Sequence, residues 1–149
     1  MVERYSALSI NTVEQFVKPA LDPVLDYDSE NRSRLVSKYN LSTTGAIALA
    51  PGAEFGPAKK WPISYFADVA KYCLENGRQV WLLGSKKDES DCEFIENKVN
   101  GVINLAGQTS LEDVVDIISL ADTLVCNDSG LMHVSAALNT KTVALFGST

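Results

Sequence analysis

Beyond Gly45 the apolar and polar positions alternate between two periods. Short apolar, partly β-branched runs at 46–50, 79–83, 102–105, 123–126 and 142–146 read as strands. Helical spacing fills the intervals. Phe66, Val69, Ala70, Cys73 and Leu74 share one face of a first helix, with Pro62 near its start and Gly77 at its stop. A second helix, about 88–99, carries a thinner stripe of Cys92, Ile95 and Val99. A third begins at Ser110, with Glu112 and Asp113 in its first turn, and is expected to bury Leu111, Val114, Val115 and Ile118. Such a β-α-β-α series predicts a mostly parallel sheet of about five strands flanked by helices.

The first 44 residues show no such regularity. Val2, Tyr5, Ala7 and Leu8 fit a short helix, Pro19 and Pro23 interrupt the segment after it, and 29–39 reads as a charged helix. The expected division is therefore a lead-in over 1–44 and an α/β domain over 45–149.

In parallel sheets with right-handed crossovers, ligands lie outside the carboxyl ends of the strands. The loops that matter are then 51–61, 84–87, 106–109, 127–130 and 147–149, which hold Gly52, Gly84, Gly107, Gly130 and Gly147. In the fourth, the run ending at Cys126 gives way to Asn127, Asp128, Ser129 and Gly130, and Leu131, Val134, Ala137 and Leu138 then recur at helical spacing. This is a strand-to-helix turn. Asp128 or Ser129 suits the cap, and the helix start points unpaired N–H groups at an anion such as phosphate. His133, the chain's one histidine, lies one turn in.

Charge and composition narrow the chemistry. With 13 Lys and Arg against 19 Asp and Glu, the net charge of −6 excludes a general polyanion surface such as a nucleic-acid interface. Lys59-Lys60 and Lys86-Lys87 are doubled cations within that acidic background, and both lie in ligand-side loops. The first pair is the better candidate for an anionic ligand, because Trp61-Pro62 anchors its loop. Three cysteines without metal-ligand spacing suit reduced core positions in a cytoplasmic protein, and with one histidine they make no zinc site. No apolar run reaches the roughly 20 residues of a membrane span. The G-x-S-x-G and G-x-G-x-x-G patterns are absent, which disfavours a serine hydrolase of that type and a nicotinamide or flavin enzyme.

Four segments carry a resemblance. They are Pro51-Gly52-Ala53-Glu54-Phe55-Gly56-Pro57-Ala58-Lys59-Lys60-Trp61-Pro62, then Leu105-Ala106-Gly107, then Asn127-Asp128-Ser129-Gly130-Leu131-Met132-His133, then Ala144-Leu145-Phe146-Gly147. Together they resemble the lipopolysaccharide heptosyltransferase II branch of glycosyltransferase family 9. The likeness covers about 45–149, and the opening Met1-Val2-Glu3-Arg4-Tyr5 looks like the family's interdomain segment.

The resemblance implies a GT-B enzyme with two Rossmann-like domains facing a cleft. Such an enzyme moves heptose from ADP-L-glycero-D-manno-heptose to the lipopolysaccharide inner core, with inversion and without a metal or other cofactor. This chain would supply the C-terminal, donor-binding domain. Lys59 would contact the diphosphate or sugar, Asp128 the heptose hydroxyls, Ser129 and Gly130 the diphosphate with His133 assisting, and Thr109 would lie near the adenosine. Asp88 is the nearest match to an acidic ribose contact that relatives carry after the second strand. The catalytic base, an aspartate of the family's N-terminal domain, has no counterpart here, so no catalytic residue is expected in this chain.

The implied setting is a cytoplasmic enzyme, with possible peripheral membrane association of the full protein and an acceptor reached through the other domain. The sequence stops after the fifth strand, so the chain is expected to be a fragment with Val143 and Leu145 partly exposed. Another GT-B sugar-nucleotide enzyme and a non-catalytic nucleotide-binding module are the alternatives.

Overall fold

Five parallel strands form one sheet in the computed structural model, which describes residues 23–53 and 60–147. The elements are α1 (Ser29–Tyr39), β1 (Ala46–Ala50), α2 (Ile63–Glu75), β2 (Gln79–Leu82), a 3-10 turn (Lys86–Asp88) and α3 (Glu89–Lys98). They continue with β3 (Ile103–Asn104), α4 (Leu111–Leu120), β4 (Thr123–Asn127), α5 (Gly130–Ala137) and β5 (Lys141–Leu145). Every expected strand is present, with ends displaced by one residue at most. The short helix expected around Val2 to Leu8 lies outside the described residues.

The strand order is β3-β2-β1-β4-β5, with Ala50 beside Cys126 at the carboxyl ends of β1 and β4. The chain builds outward from β1 to β2 and β3, then crosses back to β4 on the other side of β1. That reversal places a crevice between the loops that leave β1 and β4.

Both faces of the sheet are packed, which is why the strands read as continuous apolar runs. On one face Ala46, Ala48, Trp81, Leu83, Leu124 and Cys126 meet Val114, Ile117 and Ile118 of α4. On the other, Leu49, Val80 and Leu82 meet Phe66, Ala67 and Ala70 of α2 and Cys92 and Ile95 of α3. Cover thins toward β5. Across one row, Leu49 is fully buried, its neighbour Val125 is partly buried, and Val143 beyond it is 49% exposed. Leu145 is partly buried, so both residues have the expected partial exposure.

Two expectations need correction. Leu35 of α1 and Leu41 after it sit in the same core as β1 and α4, so part of the expected lead-in is integral to the domain. Asp28 caps α1 by accepting from Glu30 N and Asn31 N, and the buried Asp116 of α4 accepts from Asp28 N and from Asn31 Nδ2. Leu111, expected inside, is exposed. As the first residue of α4 its side chain leans back past the helix start, where no described element covers it. Ile117 is buried in the interior set instead, and Val115 is only partly buried.

Candidate functional site

The turn from β4 into α5 is the centre of the crevice. Cys126 and Asn127 are buried at the strand end, held laterally when Asp128 N donates to Leu145 O at 3.1 Å. Ser129 takes the N-cap position in extended conformation, but its hydroxyl makes no capping bond. Ser129 Oγ is buried, and it has no hydrogen-bond partner among the described residues. A buried hydroxyl left so is costly, so it marks a place where a ligand atom would complete the structure. Gly130 is exposed, and a Cβ built on it would meet nothing within 4 Å. The space beside the first residue of α5 is therefore open, at the positive end of the helix dipole, while Met132 N already donates to Ser129 O at 3.1 Å. His133 is exposed one turn along.

Across from this turn lie the two described ends of the loop leaving β1, Pro51 to Ala53 and Lys60 to Trp61. Asn127 joins the two sides, because its Nδ2 donates to Pro51 O at 2.7 Å and its Oδ1 accepts from Trp61 N at 3.0 Å. Trp61 packs against Tyr65 and Phe66, each with ring centroids 5.2 Å apart. Lys59 lies outside the described residues. Lys60 is turned away to α3, where Nζ bonds Asp91 Oδ2 at 2.7 Å. That bond pushes the Lys60 ammonium pKa up against a lowering from burial, and the charges of Asp91 and Asp88 add to the rise. Of the two lysines, Lys60 thus has an evident structural partner.

Asp88 closes the 3-10 turn after β2. Its Oδ2 accepts from Ser85 N at 2.9 Å and Ser85 Oγ at 2.7 Å, a reciprocal capping box. Its carboxylate also fills the space beside Gly52 and its Cβ the space beside Gly84, so packing already accounts for Asp88. Lys86 and Lys87 are solvent-exposed.

Glu89, which no sequence pattern singles out, reaches farther round the crevice: its carboxylate lies against Gly107, in the loop leaving β3. Gly107 has a φ of +69°, a conformation that favours glycine. Thr109, two residues on, is partly buried, with its hydroxyl 3.5 Å from Leu105 O. The signal for Glu89 in sequence was only its adjacency to Asp88. Its contact spans the helix α3 and the strand β3.

Burial pushes the Cys92 thiol up to about 12 and the Cys126 thiol up to about 11, with nearby carboxylates adding to both. Neither is a nucleophile at neutral pH. Among the described residues no three His, Cys, Asp or Glu side chains gather in a metal-holding arrangement.

The sequence model of glycosyltransferase family 9 (heptosyltransferase) matches residues 1–149. The chain belongs to this family. It is 41% identical to lipopolysaccharide heptosyltransferase 2 of Escherichia coli strain K12, over 99% of the chain and 45% of that protein. It is 38% identical to lipooligosaccharide heptosyltransferase 2 of Haemophilus ducreyi, over the whole chain and 47% of the relative. The solved structure of E. coli ADP-heptose lps heptosyltransferase II superposes with a TM-score of 0.89 at 41% identity, over 98% of the chain and 47% of that structure. A glycosyl transferase family 9 structure from Veillonella parvula, 24% identical with a TM-score of 0.78, shares the fold over 87% of the chain and 39% of its own length. This family 9 chain thus spans just under half the length of the relatives it matches.

Proposed function

We propose that this chain is the donor-binding half of an ADP-heptose-dependent heptosyltransferase that acts on the lipopolysaccharide inner core. The observation that carries the reading is the buried Ser129 hydroxyl, without a hydrogen-bond partner among the described residues, at the open start of α5, directly above the sheet's reversal point. A diphosphate placed there takes hydrogen bonds from Ser129 Oγ and the α5 N–H groups, with His133 close by. Asp128, at the same turn, is assigned to the heptose hydroxyls and Lys59 to the diphosphate or sugar. Thr109 lies on the adenosine side, and the ribose hydroxyls fall to the acidic pair Asp88 and Glu89. Because Asp88 is already engaged by Ser85, Glu89 is the stronger of the two.

The division of labour follows from the chemistry. Inverting transfer needs charge stabilisation on the departing diphosphate, which helix N–H groups and a lysine supply without a metal. It also needs a base for the acceptor hydroxyl, which this reading assigns to the other domain of the full enzyme, as it does acceptor binding. The enzyme would work in the cytoplasm beside the membrane that carries the acceptor. No helix among the described residues is long and apolar enough to cross a membrane.

Calorimetric titration of the chain tests the reading. ADP and ADP-heptose are expected to bind, UDP to bind at least tenfold more weakly, roughly, and Ser129→Ala to lower ADP affinity by about fivefold. Absence of heat with ADP, or equal affinity for UDP, would overturn it.

A further inference from the structure

Asn127 is fully buried at the end of β4, where an apolar side chain would serve the sheet equally well. Instead its amide is committed at both ends to the loop that leaves β1. Nδ2 donates to Pro51 O at 2.7 Å, and Oδ1 accepts from Trp61 N at 3.0 Å. These two residues bracket the loop, one at its departure from β1 and the other just before α2. Both bonds go to loop backbone, so they hold the loop to β4 and add nothing to strand pairing. A buried amide is tolerated only when such bonds offset its desolvation.

We propose that Asn127 is a positioning residue of the donor pocket. It ties Pro51 and Trp61 to the β4–α5 turn, and so fixes the spacing between that turn, with Asp128 and Ser129, and these two ends of the β1 loop. The inference rests on the donor-site reading of the β4–α5 turn. Asn127 touches no donor atom in this scheme, because its side chain is fully buried beneath the turn.

The test uses the property that the Trp61 N–H belongs to the Lys60–Trp61 peptide bond, a trypsin site. In Asn127→Leu, trypsin is expected to cut this bond about tenfold faster while cleavage after Arg32 and Arg34 in α1 stays unchanged, and ADP to bind about tenfold more weakly. Asn127→Asp supplies a signature that a purely structural role would not. Its carboxylate keeps an acceptor for Trp61 N–H but loses the donor to Pro51 O, and protonation restores that donor. The ratio of its ADP affinity to that of the wild type should therefore rise as pH falls from about 8 to about 5.

Should Asn127→Leu fail to fold, the Asn127→Asp pH profile carries the test alone. Cleavage raised equally at every site, together with a flat pH ratio, would overturn the proposal. Wild-type chain that binds ADP with affinity undiminished in both variants overturns this inference alone. Wild-type chain that does not bind ADP overturns the donor-site reading and this inference with it.

Discussion

Asp88 occupies the space that a side chain on Gly52 would need: a Cβ there would collide with Asp88 Oδ1 and lie 2.9 Å from Oδ2. The loops that leave β1 and β2 are thereby locked together through one carboxylate, which also caps the 3-10 turn at Ser85. Gly52→Ala should push the carboxylate off Ser85 and cost about 1–2 kcal/mol, the worth of a lost cap. In an Asp88→Ala background the same substitution should cost less than about 0.5 kcal/mol, because nothing remains to displace. Urea denaturation of the four proteins in this cycle gives the answer, and equal costs in both backgrounds would refute the contact. Gly84→Ala is expected to cost about 1–3 kcal/mol, since its Cβ would lie 2.8 Å from Asp88 Cβ, which cannot swing aside.

Glu89 should read the ribose. With its carboxylate against Gly107 it stands between the β2 and β3 loops, on the side where Thr109 lies. A carboxylate that accepts from a ribose hydroxyl gives the wild type a preference for ADP over 2′-deoxy-ADP of about tenfold, in line with hydrogen bonds to charged groups. Glu89→Gln should lower ADP affinity and abolish most of that preference. Competition titration with the two nucleotides measures both, and a preference that survives in the variant excludes the assignment.

Why some of this was legible in the sequence and some was not comes down to the range of the interactions. Strands buried on both faces must be apolar throughout, so β1, β2 and β4 announce themselves as runs, and capping at Ser110 is a relation between residues three apart. The β4–α5 turn was legible for the same reason. The contacts of Asn127 with Pro51 and Trp61, of Asp88 with Gly52, and of Lys60 with Asp91 join residues more than thirty positions apart. No local period encodes them. Leu111 shows the converse failure: its spacing suits the apolar face, but a helix needs something packed beneath its first turn before that face is buried.

Thiol reactivity should follow burial. Cys92 and Cys126 are buried, with thiols pushed up to about 12 and about 11, whereas Cys73 is only partly buried and less strongly raised, by burial against the lowering charge of Arg78. Iodoacetamide under native conditions should label Cys73 first, with the other two reacting only after denaturant is added. Peptide mass mapping over time distinguishes the sites. Early labelling of Cys126 would show that the end of β4 opens in the native state.

The α1–α4 contact should make part of the stability sensitive to acid. Burial alone would raise the Asp113 carboxyl, but hydrogen bonds from Asn31 and the Ser110 backbone, with the charges of Arg34 and Lys38, outweigh it and hold the group below its ordinary 3.8. Arg34 approaches to 2.7 Å, and Asp113 also closes the cap of α4 with Ser110. A carboxyl whose pKa is lower when folded stabilises the protein above the unfolded value, and that contribution is lost as pH falls through the folded value. Asp113→Ala should therefore cost about 1–2 kcal/mol at neutral pH through the lost cap and hydrogen bonds. The gap between variant and wild type should narrow once pH drops below 3.8, as the wild-type carboxyl takes up its proton. Thermal melts of both proteins across the acid range follow that gap, and one that stays constant to the lowest pH at which both fold would mean that the Asp113 charge contributes nothing.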